Sequence, residues 1–185
     1  MAGHGQVGPD HARRDAALEL FRTGAPTHEL SQKVVATGPG HRLFLAVPKA
    51  APPPSGWPVL YMLDGNAAFD FLTAADLALV PGLVIVGVGY DTEKQFAREL
   101  RTLDFTAPDG PGDGLRPDHV HEGRTAGGAA IFHDRLTGPL RAAAEAGLAI
   151  DPARRTLWGH SFGGLFTLYA LLARPEGFAR YAAIS

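Results

Sequence analysis

Two short runs, Pro58–Leu63 (Pro-Val-Leu-Tyr-Met-Leu) and Leu83–Val88 (Leu-Val-Ile-Val-Gly-Val), are apolar at nearly every position. A strand with one wet face alternates apolar and polar residues. A continuous run suits a strand covered on both faces, as in a parallel sheet flanked by helices. Ala67–Leu79 between them has a helical pattern, so the three segments form a βαβ unit. Ahead of it, Glu29–Ala36 and His41–Pro48 alternate across the turn Thr37-Gly38-Pro39-Gly40, a hairpin pattern. A Pro-rich connector, Ala50–Trp57, joins hairpin and unit, and residues 1–25 read as a tail with a short helix around His11–Phe21.

Downstream, residues 91–130 are rich in Gly, Pro, Asp and Arg and lack periodicity over most of their length. A stretch of that length reads as a long loop or lid. Ile131–Leu148 returns to helical spacing, with a break expected at Pro139. Arg155–Trp158 reads as a short strand, Phe162–Ala173 as a buried helix because it is apolar nearly all round, and Tyr181–Ile184 as a further strand. The expected fold is therefore α/β: a mostly parallel central sheet, helices on both faces and an N-terminal hairpin, with residues 26–185 in one domain.

Length and composition narrow the function classes. At 185 residues, 45% hydrophobic and 19% charged, the chain can bury roughly 70% of its unfolded surface. A net charge of −2 gives no reason to expect nucleic acid or an anionic membrane as partner. With no cysteine there is no disulfide, thiolate metal site or cysteine nucleophile. Arg13-Arg14 is followed by Asp15 and by no apolar segment, so it does not read as an export signal, and no stretch reaches the ~20 apolar residues of a membrane span. The expected setting is cytoplasmic.

The chemistry concentrates at Gly159-His160-Ser161-Phe162-Gly163, between the short strand and the apolar helix. A serine hydroxyl is a poor nucleophile until a base takes its proton. A Gly-x-Ser-x-Gly turn from strand to helix lifts Oγ above the sheet and leaves the next N–H at a helix start, where it can face a developing oxyanion. The alternative is a Gly-rich turn with Ser161 as a simple helix cap. A second candidate is Tyr61-Met62-Leu63-Asp64-Gly65-Asn66, ending a buried strand before a helix, which could supply another oxyanion N–H or be a plain Asp-Gly turn.

Four segments occur in order: Leu63-Asp64-Gly65-Asn66-Ala67-Ala68-Phe69, Val86-Gly87-Val88-Gly89-Tyr90, Arg101-Thr102-Leu103-Asp104-Phe105-Thr106 and Trp158–Phe166. Together they resemble an esterase branch of the α/β-hydrolases, and within it the siderophore trilactone esterases of the enterobactin and salmochelin type. The likeness runs from about Glu29 to Ser185. It implies Ser161 as nucleophile and the Phe162 and Asn66 N–H groups as oxyanion donors. It matches Arg101 to an arginine near the active site, which would bind an anionic substrate group or brace the loop through Asp104. A surface ion pair between Arg101 and Asp104 is the equally weighted alternative.

In such hydrolases the order along the chain is nucleophile, acid, histidine. The eight histidines here, 4, 11, 28, 41, 119, 121, 133 and 160, all precede Ser161. The resemblance therefore places the catalytic histidine beyond residue 185, with the chain as the N-terminal part of a longer domain. His160 is expected to pack, because neighbouring side chains diverge at an elbow. His119 and His121 could supply a base from the loop or share a metal, though a solvated loop is the plainer reading; no metal or organic cofactor is expected. The expected activity is hydrolysis of a carboxylic ester through an acyl-enzyme on Ser161, the alternatives being acyl transfer or a fragment that only binds ligand. Tyr181–Ile184, left as an apolar sheet edge, is expected to promote self-association.

Overall fold

A computed structural model describes residues 14–109 and 113–185. Eight strands and seven α-helices alternate along it. They are α1 (Glu19–Thr23), β1 (His28–Val35), β2 (His41–Pro48), β3 (Trp57–Leu63), α2 (Gly65–Phe71), α3 (Ala74–Ala78), β4 (Val84–Tyr90) and α4 (Arg98–Phe105). There follow β5 (Arg116–Pro117), β6 (Thr125–Ala126), α5 (Ala129–Arg135), α6 (Arg141–Glu145), β7 (Ile150–His160), α7 (Phe162–Ala173) and β8 (Arg180–Ile184). Six strands form one sheet in the order β1-β2-β4-β3-β7-β8. The β1–β2 and β2–β4 pairs are antiparallel, and β4, β3, β7 and β8 run parallel. Among the described residues no helix is long and apolar enough to cross a membrane.

The continuous apolar runs follow from two covered faces. In β2, Leu43 and Leu45 join one core, while Phe44 and Ala46 join the other. In β4, Val84, Val86 and Val88 face the first core and Ile85 the second, and every residue of the strand is buried. Phe132, Leu136, Leu140, Phe166 and Ala170 cover the first face; Leu20, Phe69 and Leu77 cover the second. The N-terminal apolar residues, too few for a core of their own, thus complete a layer.

Several elements differ from the expectations. The tail helix is Glu19–Thr23 rather than a helix around His11–Phe21, whose residues 11–13 lie outside the described residues. The single helix expected over Ala67–Leu79 is two. Leu72 is extended, and Thr73 starts α3 with a capping box, its hydroxyl accepting from the Asp76 N–H while the Asp76 carboxylate accepts from the Thr73 N–H. Over 131–148 the path breaks at Gly138 (φ −102°, ψ −106°), within a π turn, Leu136–Leu140, that also holds Pro139. Strand β7 is longer than Arg155–Trp158, because a register shift against β3 absorbs the residues around Pro152.

Residues 91–130 carry a two-turn helix, α4, and a short hairpin, β5–β6, in place of an unbroken loop. Helix α7 is not buried all round: Leu165, Leu168, Leu171 and Leu172 are 53%, 46%, 42% and 81% exposed, while Phe166 and Ala170 are buried. An all-apolar helix carries no periodicity to tell which side lies inward.

Candidate active site

Strand β7 ends at His160, helix α7 begins at Phe162, and Ser161 between them has φ +57°, ψ −120°. A non-glycine residue at positive φ is strained, and such strain collects at functional sites. The turn is held by Ser161 N–H donating to Ile184 O (2.9 Å) and Leu165 N–H donating to Ser161 O (3.0 Å). The Ser161 side chain makes no capping hydrogen bond, so the simple-cap alternative has no contact behind it. Close approach explains two glycines of the elbow. A Cβ on Gly159 would collide with the backbone of Gly163, and one on Gly164 would lie 2.6 Å from Ile184 O. On Gly163 it would meet Leu63 Cβ at 3.4 Å, close to ordinary contact.

The neighbouring parallel strand β3 ends in a second strained turn, with Asp64 at φ +52°, ψ +48°. The two turns abut: a Cβ on Gly163 would stand 3.7 Å from Asp64 Oδ2. Among the described residues, none of the Phe162, Asp64 and Asn66 N–H groups has an acceptor in the protein. Asn66, to which the second oxyanion N–H was expected to belong, is buried; its side-chain amide donates to Tyr90 O (3.2 Å) and Thr92 O (2.9 Å), and Oδ1 accepts from the Tyr90 N–H (2.9 Å). Its own N–H lies over Gly89, where an added Cβ would come within 2.9 Å. Asn66 therefore pins the turn to the end of β4.

Arg101 does not brace Asp104. It reaches across to Asp64 as a two-point pair, Nε to Oδ1 at 2.8 Å and Nη2 to Oδ2 at 2.6 Å. The two side chains are only 13% and 10% exposed, so this is no surface pair. The guanidinium also lies 5.2 Å from the Phe96 and Phe162 ring centres. Burial pushes the Asp64 carboxyl above its usual range, and Arg101 opposes that shift without cancelling it. Asp104 instead accepts from Tyr90 Oη (3.0 Å) and sits 3.4 Å from His41 Nε2, deep under the sheet.

Comparison with known proteins places this geometry. Residues 36–185 match the Esterase family model. The chain is 37% identical to the ferri-bacillibactin esterase BesA of Bacillus subtilis, over 77% of this chain and 52% of that protein. It is 40% identical to the apo-salmochelin esterase of Escherichia coli, over 77% and 46% respectively. A solved structure of the enterobactin hydrolase IroE, in complex with DFP, superposes with a TM-score of 0.76 at 34% identity, covering 90% of this chain and 67% of that one. The chain belongs to the Esterase family of α/β-hydrolases. It spans about half the length of the curated relatives it matches.

In this esterase-family chain a cleft of about 260 Å3 opens at the elbow, walled by Ser161, Phe162, Arg101, His160 and His121. His160, expected to pack, is exposed and also borders an adjoining apolar hollow of about 220 Å3 with Leu63, Phe71 and Trp158. His28, His41 and His133 are buried, His119 is exposed, and His4 and His11 lie outside the described residues. Among the described residues no three His, Asp or Glu side chains are grouped to hold a metal, so His119 and His121 have no third ligand. The sequence reading missed Asp64 as a side chain, and missed Phe96, Arg98 and Arg124 altogether. The last three lie in the aperiodic stretch, where only tertiary contacts say which residues converge.

Proposed function

We propose that the chain contributes the nucleophile and oxyanion amides of a serine esterase. Ser161 Oγ attacks an ester carbonyl, the Phe162 and Asn66 N–H groups take the negative oxygen, and water later releases the acyl group. The observation that carries this reading is the pairing of two strained turns, at Ser161 and Asp64, with two N–H groups left without acceptors beside them. Each oxyanion donor is worth about 2.7–4 kcal/mol in the transition state. In this role Arg101 acts through Asp64, setting the turn that presents the second amide. The relatives named above as siderophore esterases suggest esters of that class as substrates. The general base is assigned to none of the residues described.

A reading as a ligand-binding chain without turnover has one observation in its favour: among the described residues no base is hydrogen-bonded to Ser161. Reaction with a fluorophosphonate, mapped by mass spectrometry, tests the esterase reading. Modification is expected at Ser161 and lost in Ser161→Ala. Failure to modify Ser161, with p-nitrophenyl esters also untouched, would leave only the binding reading. We further infer that the 185-residue chain associates with a second copy through β8, whose ladder is with β7 alone.

A further inference from the structure

The hairpin β5–β6 hangs over the elbow and is tied to α4. Gly127 N–H donates to Thr106 Oγ1 (2.6 Å), Gly128 N–H to Leu103 O (2.9 Å) and Arg124 Nη1 to Thr102 Oγ1 (3.2 Å). Its tip, residues 118–124, is closed by Asp118 N–H to Arg124 O (2.9 Å) and Arg124 N–H to His121 O (3.2 Å). Within this tip Asp118 grips His121 twice: Oδ2 accepts from the His121 backbone N–H (3.1 Å) and stands 2.7 Å from ring Nδ1. The carboxylate holds a proton on Nδ1, which leaves Nε2 as the free edge of the ring. That ring packs edge-on to Phe162, 6.1 Å between centres, and lines the same cleft as Ser161.

The charges around that cleft are one-sided. Arg98, Arg101 and Arg124 line it, and no Asp or Glu does. Arg101 is matched by Asp64. Among the described residues, Arg98 and Arg124 have no carboxylate within salt-bridge distance. Two unmatched guanidinium groups and an imidazole held by a carboxylate make a donor set for an anionic oxygen.

We propose that His121, fixed by Asp118, is a specificity-determining residue of the Ser161 cleft, taking with Arg98 and Arg124 an anionic group on the acyl part of the substrate. This rests on the esterase reading for the word substrate, but the binding it describes needs no turnover. With Nδ1 engaged, Nε2 donates to the anion only when the ring is protonated. Affinity for an anion at this edge therefore falls when the ring loses its proton. The other charged or titratable groups facing His121 across the cleft are Arg98, Arg101, Arg124 and His160, with Arg101 paired to Asp64.

Succinanilate, an amide the site does not turn over, and butyranilide, its neutral counterpart, serve as probes of the 185-residue chain by isothermal titration from about pH 5 to pH 8. Succinanilate is expected to bind about tenfold more tightly, at low pH, with His121→Gln losing about fivefold of that preference and its pH dependence. Asp118→Asn is expected to follow His121→Gln. Arg98→Gln with Arg124→Gln removes most of the remaining preference. His119→Gln, on the same tip but outside the cleft, is the control and keeps wild-type binding. Equal affinity for the two probes, or wild-type preference and pH dependence in His121→Gln, overturns the proposal. Fluorophosphonate modification of Ser161 in the same proteins reports on the esterase reading separately. Modification without anion preference defeats only the proposal, and anion preference without modification defeats only the esterase reading.

Discussion

At the elbow a single methyl group separates three glycines that look equivalent in the sequence. Gly159→Ala and Gly164→Ala must displace backbone atoms, whereas Gly163→Ala meets a side chain at the edge of normal contact. The first two are expected to destabilise by about 1–3 kcal/mol or more, and Gly163→Ala by less than about 1 kcal/mol. Denaturant midpoints of the three variants check this, and equal midpoints would refute the packing account. Arg101→Met is a sharper case, because it strands the buried Asp64 carboxylate. We expect a loss of about 3–5 kcal/mol, relieved in large part by Asp64→Asn in the double variant, as a double-mutant cycle would measure. The tight strand-to-helix turn at Ser161 was legible in the sequence from its neighbours alone. The partner of Arg101 was not: Asp64 lies 37 positions away, while Asp104, one helical turn away, is taken up by Tyr90.

Elements were legible where the pattern had a period or a clear boundary. The hairpin β1–β2 and the buried strands β3 and β4 stand close to where alternation and continuous apolar runs put them. The break between α2 and α3 was written in Thr73-Ala74-Ala75-Asp76, a capping box overlooked because the apolar spacing continues through it. Thr73→Ala is expected to lower stability by about 1 kcal/mol in thermal or chemical unfolding. The side chain of Glu145, the last residue of α6, is clasped by Arg155 of β7 (2.8 and 2.6 Å) and by Tyr61 of β3 (2.7 Å). Burial alone would raise its pKa, but these donors outweigh it and hold the carboxyl below its usual value of 4.5. A carboxyl depressed in the folded state contributes stability that is present above its unfolded pKa and is lost as pH falls through the folded one. Glu145→Gln should therefore flatten the acid side of the stability curve below about pH 4.5, as urea titrations at a series of pH values would show. A variant curve parallel to the wild type would count against it.

Taken whole, the molecule is a sheet with two unlike edges. The β1 edge is exposed mainly through polar residues, Glu29, Ser31, Gln32 and Lys33, while β8 borders the exposed leucines of α7 through Ile184, Leu165 and Leu168. An apolar edge beside an apolar helix face invites a second chain. Sedimentation of the 185-residue chain is expected to show concentration-dependent association, reduced by Leu168→Lys and Ile184→Lys together; a monomer at all concentrations would refute it. Parallel order brings the carboxyl ends of β3 and β7 side by side, and two of the three non-glycine residues at positive φ, Asp64 and Ser161, sit there. That placement sets thermal tolerance against reactivity. Ser161→Gly would relax a backbone angle that a side chain resists, and the variant is expected to melt several degrees higher while losing its hydroxyl. A population screened only for heat resistance would drift toward glycine at position 161; on the proposed esterase reading, the serine marks where this fold accepts a lower melting point to keep a nucleophilic oxygen in place.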